Sequence, residues 1–176
     1  TLVQQIRDTA AAHGFMGEYE ADELTWFTFG GYWDGWSQRY SDTIAAKYTV
    51  RSVVMHLGMD ITAGIGSALI FDQSWVSTPF AVRNLATLMA GARANSLPVD
   101  VDTEAEDLVS YAFSLANGDF LIAYWTNGTA VDDDPGIPAT INVPGMAGFQ
   151  VTGIDVLAGF EQQLVAEDEA GALIIR

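Results

Sequence analysis

Two hydrophobic periods alternate along the first ninety-odd residues, and that alternation constrains the fold more than any other feature. "TLVQQIRDTAAAH", residues 1–13, carries Leu2, Ile6 and Ala10 at helical spacing, and Gly14 is a natural stop. "FMGEYEA", residues 15–21, reads as a short strand. A second helix is predicted from Ser41 or Asp42, both good N-caps, through "TIAAKYTVRSVVMHL" to Gly58. "MDITAGIG", residues 59–66, reads as a second short strand. Thr78-Pro79 places a cap residue before a proline at the first helical position, and "FAVRNLATLMAGA" follows as the third helix. Helix, strand, helix, strand, helix implies parallel strands joined by crossover helices. Sheets of this kind are covered on both faces and usually wider than two strands, so this half is expected to belong to a larger α/β structure.

After Ala94 the texture changes. "RANSLPVDVDTEAED" is polar and helps to join two regions. "LVSYAFSL" then alternates, with Val109, Tyr111, Phe113 and Leu115 on one face. Asn117-Gly118 is a strong hairpin turn, and "DFLIAYWT" returns as its partner. Asn127-Gly128 marks another turn, and "PATINV", "FQVTGIDVL", "EQQLVAE" and "ALIIR" continue as short strands. Short strands at this spacing suggest an antiparallel sandwich. The apolar run that ends at Arg176 reads as a sandwich that continues beyond the chain.

Apolar residues make up 49% of the 176 and charged residues 17%, enough to bury a core. The formal net charge is −16, with seven basic residues and Lys47 as the sole lysine. A polyanion would be repelled, which excludes nucleic acid as an expected partner, and an anionic membrane surface is disfavoured for the same reason. No apolar run is long enough to span a bilayer. The chain starts at Thr1, so a signal peptide lost upstream, and with it an extracellular or periplasmic location, stays open. There is no cysteine, which removes disulfides, thiolate zinc sites and cysteine nucleophiles.

The stretch "EYEADELTW", residues 18–26, sets four acids at a strand end. Strand alternation places Tyr19, Ala21 and Glu23 on one face and Glu18, Glu20 and Asp22 on the other. In a parallel α/β barrel the chemistry sits at the C-terminal ends of the strands, which makes Glu23 the best-placed acid. The competing reading is a solvated loop acid. Trp26, Trp33, Trp36 and Trp75 fall in or beside loops that follow strands, where an aromatic face suits the apolar face of a sugar ring; packing within long loops is the alternative. Trp125, in an alternating strand, reads as core.

"EYEADELTW", with Glu three residues before Trp at a strand end, resembles the seventh-strand motif of clan A glycoside hydrolases, closest to xylosidase- and iduronidase-like enzymes. The resemblance implies that Glu23 is the catalytic nucleophile and Trp26 its following aromatic. It implies that residues 1–94 are the C-terminal portion of a (β/α)8 barrel, about strands 7 and 8. It makes residues 95–176 part of the antiparallel β-sandwich that many such enzymes pack against the barrel. The implied function is retaining hydrolysis of O-glycosidic bonds in a carbohydrate substrate, with no metal or organic cofactor. Such enzymes need two carboxyl groups about 5 to 5.5 Å apart. In this clan the acid/base belongs to the fourth strand, usually as the glutamate of an Asn-Glu pair, which places it outside this chain, so the chain alone is expected to be inactive. Asp22 stands where the family usually has Thr. The alternatives are a non-catalytic carbohydrate-binding protein and a purely structural barrel–sandwich module.

Other motifs read more plainly. His56, near the end of an apolar helix, reads as a capping or hydrogen-bonded histidine. "VDDDPG", residues 131–136, reads as a turn rather than a calcium loop, because consecutive aspartates point apart. "NGT" at 127–129 matches a glycosylation acceptor and doubles as a hairpin turn. "TAGIGS" lacks the lysine of a phosphate-binding loop.

Overall fold

Helix α1, Leu2–Ala12, stops where its glycine allows. Gly14 has φ +81°. The Phe15 N–H reaches the Ala10 carbonyl at 3.0 Å and the Gly14 N–H reaches Ala11 at 2.9 Å. This pair of bonds closes a helix end and needs a left-handed residue. The computed structural model describes residues 2–26, 40–65 and 77–176.

The first strand lies later than its apolar lead-in suggests. Strand β1 is Glu20–Leu24, on the acids themselves, not residues 15–21. The lead-in folds on itself: the Phe15 ring lies over Gly17 and meets Tyr19 edge-on with centroids 5.3 Å apart. Met16 is 93% exposed, so this run is no buried strand.

Helix α2, Asp42–Gly58, starts as its N-cap predicts. Ser41 is extended, and its Oγ accepts the Ile44 N–H at 3.1 Å. The buried residues Ala45, Ala46, Thr49, Val53 and Val54 form one stripe at helical spacing. Its end differs from expectation, because Gly58 is not left-handed. Asp60 takes that role at φ +57°, with the Ile61 N–H on the His56 carbonyl at 2.9 Å. Gly58 serves another need. A Cβ there would lie 2.1 Å from Cδ1 of Tyr111, so glycine lets a strand residue approach the helix.

Strand β2, Thr62–Ile65, pairs with β1 in parallel, as the alternation implied. Helix α3 is Ser77–Leu88. Among the described residues β1 and β2 form a two-stranded sheet, and no closed barrel is present.

The remaining strands are antiparallel. The polar joint at residues 93–107 contains two of them, β3 (Arg93–Asn95) and β4 (Asp100–Thr103), which its polarity conceals. In β4 the residues Asp100 and Asp102 are exposed and Val101 is half-buried, the pattern of an edge strand with one wet face. Strands β5 (Leu108–Ser114) and β6 (Phe120–Thr126) form the expected hairpin, with Gly118 at φ +92° in its turn. Next come β7 (Ala139–Pro144), β8 (Val151–Asp155), β9 (Phe160–Leu164), β10 (Ala166–Glu169) and β11 (Ala172–Ile175). The predicted strand "EQQLVAE" is thus divided between β9 and β10. The sheet orders are β3-β5-β6, β10-β11-β7-β4 and β8-β9.

Among the described residues two apolar clusters hold these parts. The larger joins Val53 and Val54 of α2, Leu85 of α3, Met89 and Phe113 of β5, with Leu24 and Ile65 of the parallel pair against it. It therefore draws on both sides of residue 94. Phe113 is 1% exposed, and burying such a ring contributes roughly 1.5–3 kcal/mol. Trp125 packs against the same cluster, as its alternation implied. The smaller cluster centres on Ile141, Val143 and Leu173, and Ile122 of the three-stranded sheet packs against it.

Candidate functional site at the end of the parallel pair

A helix that links two parallel strands must run back along them, so the N-terminus of α2 lies at the C-terminal edge of β1 and β2. Glu23, Thr25, Trp26, Ser41 and Asp42 all belong to this edge. The N-terminus of α3 joins it where Asp42 Oδ2 accepts the Ser77 N–H at 2.8 Å. The carboxylate thus caps a second helix across 35 residues of sequence. Thr78, expected as that cap, sits inside the first turn, and its buried Oγ1 has no hydrogen-bond partner among the described residues.

The strand that carries Glu23 is bulged. Ala21 pairs with Ala63 and Leu24 with Ile65, so Asp22 and Glu23 together oppose Gly64. Alternation fails here as a physical consequence of the extra residue. Asp22 and Glu23 are both exposed, while Ala21 and Leu24 are both half-buried. The expectation that Glu23 shares the face of Ala21 and opposes Asp22 is corrected accordingly. Glu18 and Glu20 are exposed as well. Glu23 has no hydrogen-bond or ion-pair partner among the described residues.

Trp26 is half-buried and stacks on Tyr48 of α2, with ring centroids 6.1 Å apart and planes at 25°. This offset geometry is a favourable one for aromatic pairs. Tyr48 also meets Tyr40 edge-on at 5.4 Å, and the Arg51 guanidinium lies 6.0 Å from its ring centre. Its Oη accepts the Ala130 N–H at 3.0 Å. Trp33, Trp36 and Trp75 lie outside the described residues. Thr25, two residues from Glu23, carries a buried Oγ1 with no hydrogen-bond partner among the described residues. Leaving a buried hydroxyl unpaired costs about 1–3 kcal/mol.

The "VDDDPG" segment is a turn, as expected, and it also docks on α2. Lys47 Nζ donates to the Val131 carbonyl at 2.5 Å, Arg51 donates to Gly128 at 3.1 Å, and the Ser41 hydroxyl donates to the Asp132 carboxylate. Burial of the Arg51 guanidinium lowers its pKa from the ordinary arginine value, partly offset by Tyr48 and Asp134. His56 is hydrogen-bonded, with Nδ1 2.7 Å from the Ser52 carbonyl. Among the described residues no group of acids and histidines is arranged to hold a metal, and no helix is long and apolar enough to cross a membrane.

A cavity of about 170 Å³ lies elsewhere, lined by Gly58, Leu97, Val99, Tyr111 and Ile122. It sits at the far end of α2, roughly 25 Å of helix from Ser41. No protein-family model matches the chain, and neither does any curated protein sequence.

Proposed function

We propose that this chain carries the nucleophile-bearing part of a retaining glycoside hydrolase. The observation that carries the reading is Glu23: an exposed carboxylate, unpartnered among the described residues, on a bulge at the C-terminal end of a parallel strand, three residues before a stacked tryptophan. Bulges re-aim side chains and are frequent beside active sites. In this reading residues 20–88 are the seventh and eighth strand–helix units of a (β/α)8 barrel. The parallel register of β1 and β2 and the course of α2 support that assignment. The later sheets are read as part of an antiparallel sandwich, which the packing of Ile122 against the Ile141 cluster supports.

In the proposed chemistry a Glu23 oxygen attacks the anomeric carbon as the glycosidic C–O bond breaks. A carboxylic acid from outside this chain protonates the leaving oxygen. The resulting glycosyl ester is then cleaved by water, which the same outside group deprotonates, and the anomeric configuration is retained. No metal or organic cofactor enters this scheme. The Trp26 face not covered by Tyr48 is the surface on which a sugar ring would rest.

The test uses a chain extended upstream to include the acid/base. Glu23→Gln is expected to abolish turnover and leave sugar binding intact. In Glu23→Ala, azide is expected to restore cleavage of an activated glycoside with inverted product configuration. Unchanged turnover in Glu23→Gln removes the residue from the nucleophile role. A second reading, carbohydrate binding without hydrolysis, rests on the Trp26–Tyr48 stack, which needs no help from Glu23. Loss of binding in Trp26→Ala, from an extended chain that never hydrolyses, favours it.

A further inference from the structure

The chain between β6 and β7 follows α2 residue by residue. Asp132 meets Ser41, Val131 meets Lys47, Ala130 meets Tyr48 and Gly128 meets Arg51. The loop and the helix therefore run antiparallel, and Lys47, Tyr48 and Arg51 lie at neighbouring helical positions. The sole lysine and one of only six arginines serve this contact. In a chain so short of cations, their use on one loop is informative. Ala130 is 2% exposed, so the loop is seated rather than draped.

Tyr48 belongs to two contacts at once. Its ring carries Trp26, and its hydroxyl oxygen accepts a hydrogen bond from the loop backbone N–H of Ala130. A tyrosine ring is rigid, so holding its Oη holds the long axis of the ring, and with it the position of the ring against which the indole packs.

We propose that residues 127–132 form a wall of the Glu23–Trp26 site and that Tyr48 is a positioning residue, coupling the seating of this loop to the orientation of Trp26. The proposal deepens the sugar-site reading and rests on it for the site's purpose, but the coupling stands or falls by itself. The loop comes from the β-rich half of the chain, so a change of sequence at 127–132 would reshape a site whose other residues lie on β1 and α2.

The test uses the full chain. The contribution of Trp26 to the near-ultraviolet circular dichroism is taken as the difference between the parent and Trp26→Phe. Exchange of the Ala130 amide reports the seating of the loop. Tyr48→Phe keeps the stack and removes the acceptor, so Ala130 is expected to exchange at least tenfold faster and the Trp26 band to change. Lys47→Met combined with Asp132→Ala loosens the loop while keeping the Ser41 cap of α2 and both rings, and the Trp26 band is expected to change in the same sense. A Trp26 band that stays constant while Ala130 exchanges freely overturns the coupling. Ala130 exchange that is unchanged in Tyr48→Phe overturns it too. Both readouts are independent of hydrolysis, so failure of Glu23 as a nucleophile leaves them unaffected and is recognised separately.

Discussion

Gly64 lies against the backbone of Asp22. A Cβ at Gly64 would stand 2.7 Å from the Asp22 carbonyl oxygen and 2.9 Å from its Cα. The obstacle is main chain, which cannot swing aside as a side chain can. Gly64→Ala must therefore push the bulge that carries Asp22 and Glu23 away from β2. Overpacking of this kind costs roughly 1–3 kcal/mol. Urea denaturation is expected to show a loss in that range, and, on the proposed nucleophile role of Glu23, turnover in an upstream-extended chain is expected to fall as that residue is displaced. Wild-type stability in Gly64→Ala would show that the two strands separate easily.

The bond between Asp42 and Ser77 joins two helix N-termini at the proposed site. A carboxylate there accepts an orphan N–H and faces the positive end of α3. Hydrogen bonds to charged groups are worth about 1.5–3 kcal/mol. Asp42→Ala is expected to lower stability by about that amount, whereas Asp42→Asn, which keeps an acceptor oxygen, loses less. Equal losses in the two variants, measured by thermal and urea unfolding, would sink the capping role.

What could be read in the sequence was local. Ser41 announces its helix because an N-cap bonds within its own turn, and Asn117-Gly118 announces its hairpin because Gly118 must be left-handed. What was missed depends on distant partners. Gly58 looks like a helix stop, but its role is set by Tyr111, 53 positions away, and the stop itself falls to Asp60. Strand β4 hides in a polar stretch, since an edge strand needs only one apolar face, and Val99-Asp100-Val101-Asp102 is the signal that was there to find. At the site, the strand-end position of Glu23 was legible, whereas the bulge was not, because it arises from the register against Gly64. Tyr48 gave no sign of its importance. Its partners Trp26 and Ala130 come from either side of it, and the latter bond spans 82 residues.

The net charge of −16 is spread over a chain with few compensating cations, and two of the acids, Glu167 and Glu169, share Arg176. Like-charge repulsion disfavours the compact state, and salt screens it. Raising sodium chloride from about 0.1 M to about 1 M shortens the Debye length from about 10 Å to about 3 Å. The melting temperature is expected to rise over that range, more than it does for the same chain with several surface aspartates changed to asparagine. A flat or falling melting temperature argues that repulsion is unimportant here.

Tyr111 stands between Gly58 and Trp125, stacked on the indole at 5.8 Å, and burial raises its pKa above the ordinary value of 10.0. The consequence for stability follows from proton counting. Near pH 10 the unfolded chain releases the Tyr111 proton, while the folded chain still holds it. The unfolded state then binds fewer protons, so stability falls with rising pH, from the unfolded pKa up through the folded one. Below that window the residue contributes no pH dependence. Tyr111→Phe keeps a ring against Trp125 and removes the titrating group. Urea unfolding of both proteins from about pH 8 to about pH 11 should show a constant difference at the lower end, shifting in favour of the phenylalanine variant above about pH 10. Subtracting the two pH profiles isolates the contribution of position 111. A difference that stays constant throughout means that Tyr111 ionises as readily in the folded chain as in the unfolded one.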